Sequence, residues 1–94
     1  MDTGFVWDEK KYRTVQNKHN IRFHEVVSAF DDENGYEAPD PSGNEDRHIM
    51  VAKTKNERIL FVVFSEEELP IYRLITAFDA EGKWLDEYHK TQQH

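Results

Sequence analysis

The run Arg58-Ile59-Leu60-Phe61-Val62-Val63-Phe64-Ser65 constrains the fold more than any other segment. A strand with one wet face alternates apolar and polar residues. This one does not alternate, so both of its faces must be covered. It is far shorter than the ~18 apolar residues that cross a membrane. A central strand satisfies these demands, and the rest of the chain must then supply flanking strands and covering helices.

The flanking strands can be read on either side. From Arg47 the pattern has period two, with Ile49 and Val51 alternating with His48, Met50 and Ala52. Lys55-Asn56-Glu57 supplies a turn before the central strand, and Glu66-Glu67-Glu68 reads as the turn after it. Pro70 has no N–H to give a ladder and can only open the next strand, which Ile71, Tyr72, Leu74, Ile75 and Ala77 continue. Residues 47–77 therefore read as a three-stranded antiparallel meander.

Helical periodicity surrounds the meander. After a short strand at Phe5-Val6-Trp7, Asp8 is a helix N-cap, and Tyr12, Val15 and His19 mark one face of a helix over 9–19. Asn20 can adopt the left-handed conformation that ends it. Phe23, Val26, Val27 and Phe30 give a second helix from about Arg22, stopped by Asp31-Asp32. A last helix is predicted from a cap at Asp79, with Ala80, Trp84, Leu85 and Tyr88 sharing a face and Gly82 an interior cost. Residues 31–46, rich in Gly, Pro and acid, read as a loop with a short strand at Tyr36–Ala38. The tail from Thr91 to His94 is expected to fray. The sum is one α+β domain over residues 1–94.

Composition narrows the function classes. Without cysteine, thiolate catalysis, disulfides and Cys-based zinc sites are excluded. Met1-Asp2-Thr3-Gly4 lacks the features of a signal peptide, so a cytoplasmic protein with no membrane role is expected. The net charge of −7 argues against a generic nucleic-acid coat. That charge is uneven: residues 31–46 hold seven acids and no base, whereas 47–65 hold four bases and one acid. Two segments, 9–22 and 47–58, escape the acidity and can share a face. Acidic loop 31–46 can dock a basic partner or simply be solvated. His19 and His24, and likewise His89 and His94, are i, i+5 pairs, a poor helical spacing for joint ligation, so no metal is expected.

One series of residues carries a resemblance. Phe5-x-Trp7-Asp8-x-x-Lys11 leads to Asn17-Lys18-His19-x-Ile21, then to Phe23-x-Glu25-Val26 and Val27-x-x-Phe30-Asp31-Asp32. Glu45-x-Arg47, the Arg58–Phe64 run and Tyr72-Arg73-Leu74-Ile75-Thr76-Ala77 follow. The chain resembles the BrnT family of type II toxin–antitoxin toxins over about residues 5–90. The resemblance implies a RelE-like fold and a metal-independent ribonuclease that needs no cofactor and inhibits translation. It also implies a BrnA-like ribbon-helix-helix antitoxin, through which alone the chain would meet DNA. A homodimer through a sheet edge or the last helix is compatible with it. The chain departs from the family pattern at Phe78, where arginine is usual, at Trp84-Leu85, where Glu-Arg is usual, and at Asn20 and Arg22. These departures motivate an alternative, a non-catalytic protein-binding module with an eroded site.

The candidate residues follow from the chemistry. Metal-free RNA cleavage needs a base for the 2′-hydroxyl, cations for the phosphorane and an acid for the leaving oxygen. Arg73, Arg47 and His19 are the catalytic candidates, and Lys18 and Lys53 the RNA-binding ones. Each has a plainer role beside it. Arg73 can pair with Glu25 or Asp31, and Arg47 with Glu45 or Asp46. Lys18 and His19 can serve the helix C-terminus, and Lys53 can be a solvated turn residue.

Overall fold

The apolar run is the middle strand of a five-stranded mixed sheet covered by helices on both faces. The computed structural model describes residues 4–91. In chain order the elements are β1 (Gly4–Trp7), α1 (Glu9–His19), α2 (Phe23–Ala29), β2 (Tyr36–Pro39), β3 (Arg47–Lys53), β4 (Ile59–Glu68), β5 (Ile71–Asp79) and α3 (Gly82–Thr91). The spatial order is β1-β5-β4-β3-β2. β1 runs parallel to β5, and every other pairing is antiparallel. No helix among the described residues is long and apolar enough to cross a membrane.

Successive strand side chains point to opposite faces, which is why the central run had to be apolar throughout. On one face Leu60, Val62 and Phe64 pack with Met50, Ala52 and Leu74 beneath Val15 of α1 and Val26 and Ala29 of α2. On the other, Phe61 packs with Ile49 and Val51 beneath Tyr88 of α3, with Phe78 and Trp84 against them.

Three local expectations are corrected. Glu66–Glu68 extend β4, and Glu68 pairs with Ile71, so the reversal is at Leu69-Pro70. Backbone pairing with β5 overrides the turn preference of three consecutive acids. Asp79 does not cap α3: it ends β5, and its carboxylate accepts from Arg58 Nε at 2.6 Å. Gly82 is no interior helix residue. It begins α3 at φ 58°, a left-handed angle that glycine adopts without a Cβ clash, so it turns the chain into the helix. The strand inside the acidic segment exists as β2 and pairs with β3. The expectations for Met1–Thr3 and for the tail beyond Thr91 lie outside the described residues.

Candidate functional site

The geometry of the site begins with strand register. Arg47 of β3 pairs with Ser65 of β4, and Ser65 pairs with Arg73 of β5. In-register partners project to the same face, and adjacent strands lie about 4.8 Å apart. The two arginines therefore flank Ser65 in one row, roughly 10 Å apart at the backbone. By alternation from Ile49 this is the α3 face of the sheet, at the end α3 leaves open.

α1 supplies the side wall. β1 covers only Ile71–Leu74 of β5, and the chain then turns into α1, which flanks the rest of that strand. Asp8 fixes the start of the helix by accepting from the Lys11 N–H at 3.1 Å, and Asn20 ends it in the left-handed region at φ 53°. The pairing skips Ile75, since Val63 meets Thr76 and Phe64 meets Leu74. Trp7 Nε1 donates to the Ile75 carbonyl at 3.3 Å, tying this bulge to the entry of α1.

Two adjoining depressions result. One, of about 250 Å3, is lined by Lys11, Asp46, Arg47, Ser65, Glu67 and Arg73, among others. The next, of about 350 Å3, is lined by Lys11, Thr14, Val15, Arg47, Ile75 and Thr76. They share Lys11, Arg47 and Ile75 and form one cleft between α1 and the sheet. Lys18 lies seven residues beyond Lys11 on α1, nearly the same helical face and about 10 Å further along.

The cleft holds charges of both signs. Arg73 is half exposed and forks onto Glu68, with Nε 2.8 Å and an Nη 2.7 Å from one carboxylate oxygen. Arg47 is half buried and makes no ion pair within 4 Å among the described residues. The Ser42 N–H and hydroxyl hold the Asp40 carboxyl below the usual range, and the charge of Arg47 adds to this. Glu67 is pushed the other way. The like charge of Asp46 and a hydrogen bond with it raise the Glu67 carboxyl, Glu68 adds to the rise, and Arg73 opposes it.

The structure thus brings Arg47 and Arg73 together, with Lys18 on the wall beyond Lys11. His19 is elsewhere: its ring lies 6.0 Å from Phe78, five residues along β5 from Arg73 and roughly 17 Å away by strand rise. Lys53 is at the opposite end of β3 from Arg47, roughly 20 Å by the same measure, in a separate depression with Ser28, Asp31 and Asp32. Glu25, offered as a partner for Arg73, lies 4.0 Å from Arg58 instead. Residues not named as site candidates from sequence are Lys11, Ser65 and the Asp46–Glu67 pair. Lys11 had a signal, its i, i+7 relation to Lys18. The others depend on register.

Comparison with known proteins follows the same lines. A family model described as "Ribonuclease toxin, BrnT, of type II toxin-antitoxin system" matches residues 7–83. The chain belongs to the BrnT family. A crystallised relative, the Brucella abortus ribonuclease toxin BrnT, is 21% identical and superposes with a TM-score of 0.61 over 86% of this chain and 100% of that one, which shows a shared fold. No curated protein sequence matches the chain. The BrnT match contains Lys11, Arg47, Ser65 and Arg73, so the whole cleft lies within it. Membership of a type II toxin family implies an antitoxin partner and an RNA target.

Proposed function

We propose that this BrnT-family chain is a metal-independent, RelE-like endoribonuclease of the cytoplasm, cutting RNA in the cleft between α1 and the sheet and so inhibiting translation. The observation that carries this is the row Arg47–Ser65–Arg73 facing Lys11. Attack of a 2′-oxygen on the adjacent phosphorus spreads negative charge over the phosphorane oxygens. Planar guanidinium forks bind such oxygens in pairs, and an ammonium adds a point charge. Two arginines on neighbouring β positions can close on one phosphate from both sides. Lys11 and Lys18, about 10 Å apart on α1, would hold flanking phosphates of a single strand.

In this reading Arg73 and Arg47 stabilise the transition state, and Lys18 guides the strand. His19, beside Phe78, would meet a nucleotide further along and not the scissile phosphate. Lys53, next to Asp32, has no part in cleavage. The antitoxin is a BrnA-like protein with a ribbon-helix-helix DNA-binding domain.

The test is expression without the antitoxin. Wild-type protein is expected to arrest growth and fragment cellular RNA. Arg73→Ala and Arg47→Ala are each expected to lower cleavage of a single-stranded RNA by the purified protein about 100-fold, as for loss of a charge-stabilising donor. Intact RNA and normal growth at confirmed soluble levels would reject the nuclease reading.

A second reading, a protein-binding module with an eroded site, draws on two observations. Phe78 stacks on Phe61 at 4.8 Å, and Trp84 of α3 meets Phe61 edge-on at 5.1 Å, so these departures from the family pattern are packed between α3 and the sheet. Glu68 also occupies the fork of Arg73. This reading expects antitoxin binding with no RNA cleavage.

A further inference from the structure

The arginines of the cleft can stabilise a phosphorane, but they cannot remove a proton at neutral pH. Neither can Lys11, and the Ser65 hydroxyl is a weak base. His19 packs against Phe78, five residues and roughly 17 Å along β5 from Arg73, and so is out of reach of a phosphate held there. Among the residues lining the arginine end of the cleft, the proton acceptors are Asp46 and Glu67.

Strand register puts these two carboxyls together. Asp46 immediately precedes Arg47, and Glu67 lies two residues past Ser65, the partner of Arg47. Two residues on from Ser65, alternation returns Glu67 to the cleft face. The register is irregular between Ser65 and Glu68, and Glu67 comes into hydrogen-bond contact with Asp46. The charged groups around it come from every neighbouring element: Asp46 before β3, Arg47 on β3, Glu68 on β4, Arg73 on β5 and Lys11 on α1.

We propose that Glu67 is the general base of the cleft, with Asp46 as the neighbour that tunes it. The inference rests on the cleft being the RNA-cleaving site. As the 2′-oxygen bonds to phosphorus, its proton passes to the Glu67 carboxylate. The P–O5′ bond breaks, and water protonates the departing 5′-oxygen. The products are a 2′,3′-cyclic phosphate and a 5′-hydroxyl, and Glu67 returns its proton to solvent through the open cleft. The like charge of Asp46 strengthens Glu67 as a base by raising its proton affinity toward the working pH.

The test is the pH dependence of kcat/KM for the full chain on a labelled single-stranded RNA. Wild type is expected to gain activity with rising pH along an acidic limb set by Glu67. Glu67→Gln is expected to lose about 100-fold or more and to flatten that limb, with Glu67→Asp restoring part of both. Asp46→Asn removes the like charge, so the limb is expected to move to lower pH. A purely structural role for either carboxyl would leave the limb in place. If Glu67→Gln keeps the wild-type rate and limb while Arg73→Ala is inactive, the base assignment is overturned and the cleft reading stands. If folded wild-type protein cleaves no RNA, both fall.

Discussion

Arg58 ties three elements through one guanidinium. It donates to the carbonyls of His19 at 2.6 Å and Asn20 at 2.7 Å, and to both carboxylate oxygens of Asp79 at 2.6 and 3.0 Å. The last carbonyls of α1 lack intrahelical partners and carry partial negative charge, so a cation there answers both needs. Arg58→Ala is expected to cost about 2 kcal/mol, a figure lowered for the solvent around the half-exposed Asp79. Arg58→Lys should recover only part, since an ammonium cannot match the fork. Urea denaturation measures both. The hydrogen bond from Arg58 holds the Asp79 carboxyl below its ordinary 3.8, against the opposing effect of burial. Its folded value lies below its unfolded one. The pair therefore contributes fully above about pH 4 and is lost as pH falls through the depressed value. Asp79→Asn should remove that part of the acid sensitivity.

At the scale of elements, α3 is seated by hydroxyls as well as rings. Tyr36 Oη donates to the Trp84 carbonyl at 2.7 Å, and Tyr88 Oη donates to Asp32 at 2.5 Å. Burial pushes the Asp32 carboxyl up, but the Tyr88 hydroxyl and the N–H groups of Lys53 and Asn34 outweigh it, and the net shift is downward. Tyr88→Phe is expected to raise the Asp32 pKa in an NMR titration and to cost about 1–2 kcal/mol in thermal unfolding. The elements differ in how far local sequence specifies them. α1 is legible at both ends because Asp8 and Asn20 are side-chain and backbone signals confined to the helix. The interior of β4 is legible because only a doubly covered strand needs six apolar residues in a row, Ile59–Phe64. Its acidic extension is not, because Glu66–Glu68 are held in strand geometry by a partner that local sequence does not name. The site follows the same division. Arg47 and Arg73 stand out as residue types on strands, but their alignment across Ser65 depends on register. The displacement of His19 toward Phe78 depends on α1 running beside β5, which in turn depends on the parallel docking of β1.

Over the whole molecule, a chain of net charge −7 would, on the proposed function, keep its nucleic-acid contacts to one cleft. With Arg47 and Arg73 on one phosphate and Lys11 and Lys18 on two flanking ones, about three phosphates would be met, and for single strands each contributes about −0.7 to the slope of log K against log salt. A slope of about −2 is expected, and Lys18→Ala should reduce its magnitude by about 0.7, measured by fluorescence anisotropy across a salt series. The acid elsewhere opposes non-specific adhesion, so binding should fall steeply once the cleft is blocked.

The parallel pairing of β1 with β5 has a consequence for synthesis. The wall of the cleft follows the first strand, and one arginine of its floor sits on the last. Nearly the whole chain must leave the ribosome before wall and floor can meet, and pairings so distant in sequence form late. A growing chain therefore carries no cleft, and on the proposed function it could cut no RNA until β5 has left the ribosome.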